Sequence, residues 1–398
     1  MSIARSRSRP GRILLLALAA VLAAACGSGG HPPATPAAKV PVVDVSQLDP
    51  GNYPVTPWTI PGKGTDITVG DLVQESIRMA EHMPLPFEID DRLVIGEFAG
   101  AVTADYPDPD IDNFAAGTPG LIAGWKTGGR HRAERTFGLE IDLTVLRFLK
   151  PEQAVSARDF LASRQNPEFP DKGPLTVPGY PAAKSVLGHL DSVKTLYAQD
   201  NYLYWLWVND DLTVPDGPGS LLDATRDSLD RTIESMKGYQ PTPVDRLAGL
   251  AADPEDLLGR TLPLEQGDPA SAEGLYPPHA ALTGDDRPVA SKRAYEDAGV
   301  DLVARSLSNI YRTRDAVGAV KLAGAFSDEL SDRYKAADPP PGLATARCLQ
   351  RKDEDGAGAK FLCYLPYEHY VAEVYADQSQ VLRQRLSAQY ALLAYGHI

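Results

Sequence analysis

KTLYAQDNYLYWLWVND, residues 194–210, is the stretch from which the fold can be read. Apolar and aromatic side chains dense in β-formers flank Asp200-Asn201, a turn dipeptide, so 193–198 and 202–208 read as two strands. A second stretch, KFLCYLPYEHYVAEVYAD at 360–377, matches the first in character. The neighbours match as well. In the first half, 137–148 alternates as a strand, and 151–161 follows as a helix with Pro151 in its first turn. A short strand at 183–187 precedes the aromatic pair, and 221–236 closes as an amphipathic helix. In the second half, 300–311 reads as a strand and 316–330 as a helix. The segments 343–349 and 361–365 form a hairpin, 370–375 is a strand, and 381–393 a closing helix. AVSA at 154–157 also matches AVGA at 316–319. The expected fold class is α+β: two similar β-α-β-β-β-α halves with antiparallel sheets covered by helices.

Upstream, 42–133 is rich in Pro and Gly and reads as irregular, apart from a helix over 71–83. On that helix Leu72, Ile77, Met79, Ala80 and Met83 face inward, and Glu75, Arg78 and Glu81 outward. Between the halves, 238–293 is again Pro-, Gly- and Asp-rich. The expected organisation is a signal peptide at 1–25, a lipidated tether at 26–41 and an N-terminal α+β domain at 42–240. A linker with local structure at 241–293 and a C-terminal α+β domain at 294–398 complete it.

The first residues set the compartment. Arg5, Arg7, Arg9 and Arg12 precede LLLALAAVLAAAC at 14–26, the pattern of a secretory signal with a small-residue cleavage site. Leu22-Ala23-Ala24-Ala25-Cys26 resembles the bacterial lipobox, whose cysteine carries the acyl chains; Ala23 departs from the larger aliphatic usual there. Cys26 is therefore the expected lipidation site, placing the protein on the extracytoplasmic face of the cell membrane. Two or more acyl chains anchor stably where one does not.

The chain carries 39 basic and 53 acidic side chains; without residues 1–25 it carries 35 and 53, a net charge of −18. That balance excludes nucleic acid as a partner and adsorption to anionic lipid through a basic face. Beyond Cys26 only Cys348 and Cys363 remain, symmetric about Asp355-Gly356. A hairpin closed there sets them opposite each other, so an exported chain is expected to join them in a disulfide.

No nucleophile elbow, zinc-protease, phosphate-loop or dinucleotide motif occurs, and the seven histidines are scattered. Asp108, Asp110 and Asp112 alternate in DYPDPDIDN and form either a cation site or a solvated acidic loop; the EF-hand pattern fails at Asn113 and Pro119. Arg130 and Arg132 make a local basic spot, either for an anionic ligand or for salt bridges to the acidic surface. Tyr202, Tyr204, Trp205 and Trp207 alternate between the two sheet faces, as core or as a sugar or partner platform. No cofactor is implied. The sequence reads as a non-enzymatic envelope protein that binds a ligand or protein partner between its halves. The rivals are an envelope hydrolase with an unrecognised site and a purely structural lipoprotein.

Four blocks, LDPGNYPVTP (48–57), RMAEHMPLPFEIDDRLV (78–94), AGWKTGG (123–129) and LRFLKPEQAVSARDF (146–160), resemble an uncharacterised family of actinobacterial cell-envelope lipoproteins. The resemblance implies a membrane-anchored location and supplies no catalytic residues. The C-terminal half is more distantly similar, in topology alone, to the sensor domains of mycobacterial receptor kinases.

Overall fold

The structure is a computed structural model. It describes residues 43–60, 64–97, 99–109, 111–133, 138–164, 168–211, 218–251, 253–266, 268, 270–353, 356 and 358–396. The leader, Cys26, Asp110 and Asp355 lie outside the described residues.

Helix α1 (Val69–Ala80) begins at Thr68, whose hydroxyl accepts from Asp71 N while the Asp71 carboxylate accepts from Thr68 N. Then come α2 (Pro86–Ile89), β1 (Ile95–Gly96), β2 (Gly100–Ala101), α3 (Phe114–Gly117) and β3 (Leu121–Arg130). The first half continues with β4 (Leu139–Phe148), α4 (Pro151–Ala162), β5 (Gly173–Leu175) and β6 (Lys184–Leu187). It ends with β7 (Val193–Gln199), β8 (Tyr202–Asp210) and α5 (Gly219–Met236). The second half opens with β9 (Gly274–Tyr276), α6 (Pro278–Leu282), α7 (Pro288–Ala298), β10 (Leu302–Arg305) and β11 (Asn309–Arg312). After α8 (Ala316–Glu329) come β12 (Tyr334–Ala337), β13 (Arg347–Arg351), β14 (Phe361–Tyr367), β15 (Tyr370–Ala376) and α9 (Ser379–Ala394).

The α+β class and the duplication hold. One sheet runs β5-β6-β7-β8-β4-β3-β1 and the other β12-β13-β14-β15-β11-β10-β9, antiparallel throughout; β2 also pairs with β3. These are the same order, strand for strand. Each half is richer than β-α-β-β-β-α: β1, β2 and β3 precede the expected first strand of the first half and β9 that of the second, and a short strand follows the first helix of each. In place of one strand over 300–311 there are two, β10 and β11, joined by a turn at 306–308.

The largest departure is β3, a ten-residue strand within the stretch read as irregular. Gly124, Gly128 and Gly129 interrupt its alternation, yet they are there because neighbours press close. A Cβ on Gly124 would sit 2.7 Å from Val102 O. Gly96, on β1, is tighter still, with its Cβ position 1.9 Å from Asp285 O of the second half. The first sheet's edge and the 284–286 loop therefore meet backbone to backbone, and Gly96 N donates to Asp286 O.

A single core joins the halves: Ile77, Trp125 and Tyr204 belong to the same buried cluster as Tyr276, Tyr311 and Phe326. The described residues form one compact unit. The segment 43–60 returns to the second half, where Trp58 packs against the α9-side core and its Nε1 donates to Thr261 O (3.1 Å).

Glu75 does not face outward. It is fully buried and accepts from Arg147 Nη1 (2.6 Å), Tyr239 Oη, Thr242 N (2.8 Å) and Thr242 Oγ1 (2.7 Å). Helical periodicity cannot distinguish a solvated carboxylate from one with donors waiting on other elements.

Candidate functional site

Where β11, β14 and β15 lie side by side, the second sheet places polar groups on the face that α8 covers. Asn309 and Tyr364 both stand directly opposite Glu373 in register. Asn309 Nδ2 and Tyr311 Oη donate to Glu373 Oε2, each at 2.7 Å. Burial pushes the Tyr311 and Tyr364 hydroxyls well above their usual range, and the Glu373 charge adds to the effect. Both phenols therefore stay protonated and act as donors.

This cluster floors a cleft between the second sheet and the first sheet's edge. The cleft has two lobes, of about 400 and 900 Å³, that share Asp285, Asp286, Tyr311, Gly358 and Glu373 in their walls. Arg130, Arg287 and Arg333 line the smaller lobe. The larger is lined by Asp268, Glu273 and Arg305 beside the shared acids. No histidine lines either.

Asp285 sits on the loop after α6 and accepts from Arg287 N (2.8 Å). Burial pushes its carboxyl up to about 6 against the pull of that bond and of Ser291. Arg305 projects from β10, lies 4.9 Å over the Tyr276 ring, and donates through Nη2 to Ala281 O (2.6 Å). Its Nε, the Nε of Arg130 and the hydroxyl of Tyr295 are shut off from solvent without a hydrogen-bond partner.

The sequence-derived candidates scatter. Arg130, at the end of β3, lines the smaller lobe and pairs with Glu97 (3.0 Å); Arg132 lies exposed in the following turn. Trp205 and Trp207 share the α4 face of the first sheet, half-buried, while Tyr202 and Tyr204 take the other face; neither tryptophan lines the cleft. Asp108 is buried and pairs with Lys126 (3.4 Å), and Asp112 is exposed. Among the described residues no group of three or more His, Cys, Asp or Glu is placed to hold a metal ion. Cys348 and Cys363 are joined and stand in register, their Cα atoms 4.1 Å apart. The register between β13 and β14 is centred on Asp355-Gly356, and Asp355 of the turn expected there lies outside the described residues.

Asp285, Arg305, Tyr311 and Glu373 were not among the sequence candidates. Glu373 did leave a signal, because YVAEVYA sets a carboxylate between Val371 and Tyr375 on an inward-facing row. Asp285 left none, since its loop carries no pattern.

Models of the N-terminal and C-terminal domains of one family, described as a domain of unknown function (DUF7373), match residues 62–252 and 257–396. Among solved structures, the extracellular domain of PknH from Mycobacterium tuberculosis is similar over 43% of this chain and 100% of its own, at 9% identity and a TM-score of 0.27. A likeness at that score carries no argument about fold or ligand. No curated protein matches.

Proposed function

The chain belongs to the DUF7373 family, a domain of unknown function, and from that premise we propose a lipid-anchored envelope protein whose inter-half cleft binds a small polar ligand. The observation that carries the binding reading is the two-lobed cleft itself. Its volume spans the range of ligand sites, and convergent charged and phenolic groups line it. The anchor rests on the signal at 14–26 and on Cys26 as the acyl acceptor, and the membrane is then a partner through lipid alone. Among the described residues no helix is long and apolar enough to cross a membrane. Cys26→Ala should move the protein out of the membrane fraction; an unchanged fraction sinks the anchor.

The cleft is tested by thermal unfolding with millimolar spermidine, citrate, glucose and a mixed tripeptide library. At least one should raise the unfolding temperature of the wild type but not of Ala272→Trp, which fills the larger lobe. Equal shifts in both proteins, or none in either, defeat the reading.

A hydrolase is the second reading, and one observation favours it. Asp285, held protonated to higher pH than a free carboxyl, shares the cleft with Glu373, as the acid and base of a carboxyl pair do. Nitrophenyl glycosides and esters assayed between pH 5 and 7 should then show turnover that Asp285→Asn removes. Turnover that persists in the variant, or none at all, discards this reading.

A further inference from the structure

We propose that the cleft takes a small organic cation, its ammonium group beside Glu373 and its apolar body against the rings of the smaller lobe. The inference rests on the cleft being a binding site and names the class of its ligand.

Charge points to a cation once the ion pairs within the walls are set aside. The arginines of the smaller lobe are committed: Arg287 to Glu329 and Asp332, Arg333 to Asp286, and Arg130 to Glu97. Asp268, Glu273, Asp285 and Glu373 remain, and among the described residues none of these four has an ion-pair partner. The cation left to face them is Arg305, which lies over Tyr276 and bonds Ala281 O. The walls therefore stay acidic whether or not Asp285 carries its proton. An anion would meet a surplus of its own sign there, and a cation its complement.

Glu373 fixes where the ligand's charge sits. It lines both lobes, and the groups around it, Asn309, Tyr311 and Tyr364, are neutral. A carboxylate drawn half out of water without a counter-charge is costly, and a ligand ammonium supplies the missing partner.

The second, independent observation is the wall beside it. Tyr311, Phe326, Tyr334 and Tyr364 line the smaller lobe. The Phe326 ring centroid lies 5.1 Å from that of Tyr311 and 5.3 Å from that of Tyr364. Aromatic rings grouped near a carboxylate attract an organic ammonium through their negative faces and cover its apolar body. A metal ion has no use for such walls. Among the described residues no three His, Cys, Asp or Glu are placed to hold one.

The test is isothermal titration of the full mature chain at neutral pH with three probes of one shape. These are 2-phenylethylamine, 2-phenylethanol and 3-phenylpropionate, which are cationic, neutral and anionic. The amine should bind at least tenfold more tightly than the alcohol, and the acid more weakly than either. Glu373→Gln should bring the amine down to the level of the alcohol. Asn309→Lys, which gives Glu373 a resident ammonium, should do the same by a different route. Glu255→Gln, away from the cleft, should change nothing. The wild-type comparison stands even where a variant fails to fold. Alcohol or acid binding as tightly as the amine overturns the proposal, as does full amine binding by either cleft variant. If the amine does not bind, the proposal falls. The cleft reading then stands only where another probe still gives a stabilisation that Ala272→Trp removes; with none, both fall.

Discussion

The two halves share a strand order but differ in what they place at equivalent positions. Tyr202 and Tyr370 each follow a two-residue turn, after Gln199 and Tyr367 in the preceding strands. Aligned there, Trp205 falls on Glu373, and their cross-strand neighbours Thr144 and Leu196 fall on Asn309 and Tyr364. Leu146 falls on Tyr311. In the first half this quartet belongs to or adjoins the apolar core under α4, whereas in the second it is the polar floor of the cleft. The same positions thus carry apolar packing in one half and a hydrogen-bonded polar cluster in the other. The same alignment sets Thr195 and its partner Ser185 on Cys363 and Cys348. Where the second half has a disulfide, the first has a buried hydroxyl pair, Ser185 Oγ to Thr195 Oγ1 at 2.9 Å. Finally, Arg147 falls on Arg312. The former is buried against Glu75, and the latter bonds Asp301 and Glu255 at the surface.

The arginine pair gives the largest expected effect. Glu75→Ala strips a buried guanidinium of its partner and orphans the donors of Tyr239 and Thr242. It should cost roughly 3–5 kcal/mol in chemical denaturation. Glu255→Ala, at the equivalent arginine, should cost less than about 1 kcal/mol, because Glu255 is 49% exposed. Similar losses at both sites would show that burial is not what separates them.

The disulfide comes next. Its 15-residue separation is worth about 3 kcal/mol in the loop-entropy account. Cys348→Ser with Cys363→Thr recreates the first half's hydroxyl pair, which returns about 1 kcal/mol of that. The net loss should be near 2 kcal/mol, with faster amide exchange confined to β13 and β14. The converse, Ser185→Cys with Thr195→Cys, should oxidise to a new bond visible as a mass loss on non-reducing analysis. Two alkylatable thiols there would mean that the duplicated register is wrong.

The cleft adds a pH dependence of its own, opposite in sign to that of the hydrogen-bonded Asp71 and Asp90 carboxyls of the first half. Asp285 binds its proton more tightly folded, with a pKa of about 6 against 3.8, so the folded state holds more protons between those values. Its contribution to stability is fullest below pH 3.8, falls as pH rises to about 6, and is level above. Relative to wild type, Asp285→Asn should therefore gain up to about 3 kcal/mol between pH 4 and 7. A difference that stays flat over that range would mean that Asp285 is not held in a poorly solvated wall.

What the sequence disclosed follows from where side-chain pattern is the cause of structure. Helices α4, α5, α8 and α9 and strands β4, β7, β8 and β15 repeat apolar residues at their own period, so they were legible to within a few residues. Strand β3 was not, because Gly124 and Gly128 serve close backbone approach and erase alternation. The tandem match was visible, although pairing Lys194 with Lys360 is two residues off the register set by the turns. The cleft was largely hidden. Its acids come from two patternless segments, before β9 and after α6, and one strand position, and the first sheet's edge meets the second of these segments at Gly96 and Asp285. Arg130 was singled out for its charge, without any sign of what it would face.

The smallest expected effect lies at the helices that open the two crossovers. Helix α8 is capped by Asp315, whose carboxylate accepts from Gly318 N at 2.7 Å, and that bond holds its pKa below the usual range. At the same place α4 has Lys150, which offers no side-chain acceptor and sets a cation against the positive end of the helix. Gln153 partly compensates by accepting from Lys150 N at 3.0 Å. The backbone at Lys150 is already extended, as a capping residue requires, and Pro151 already occupies the first helical position. Lys150→Asp should thus raise stability by roughly 0.5–1 kcal/mol, and Asp315→Ala should lower it by about 1 kcal/mol. Both changes should fade together below pH 4 as the capping carboxylates protonate. If Lys150→Asp gives no gain while Asp315→Ala is costly, the Gln153 bond already meets the need of α4, and the two copies have solved one capping problem by different residues.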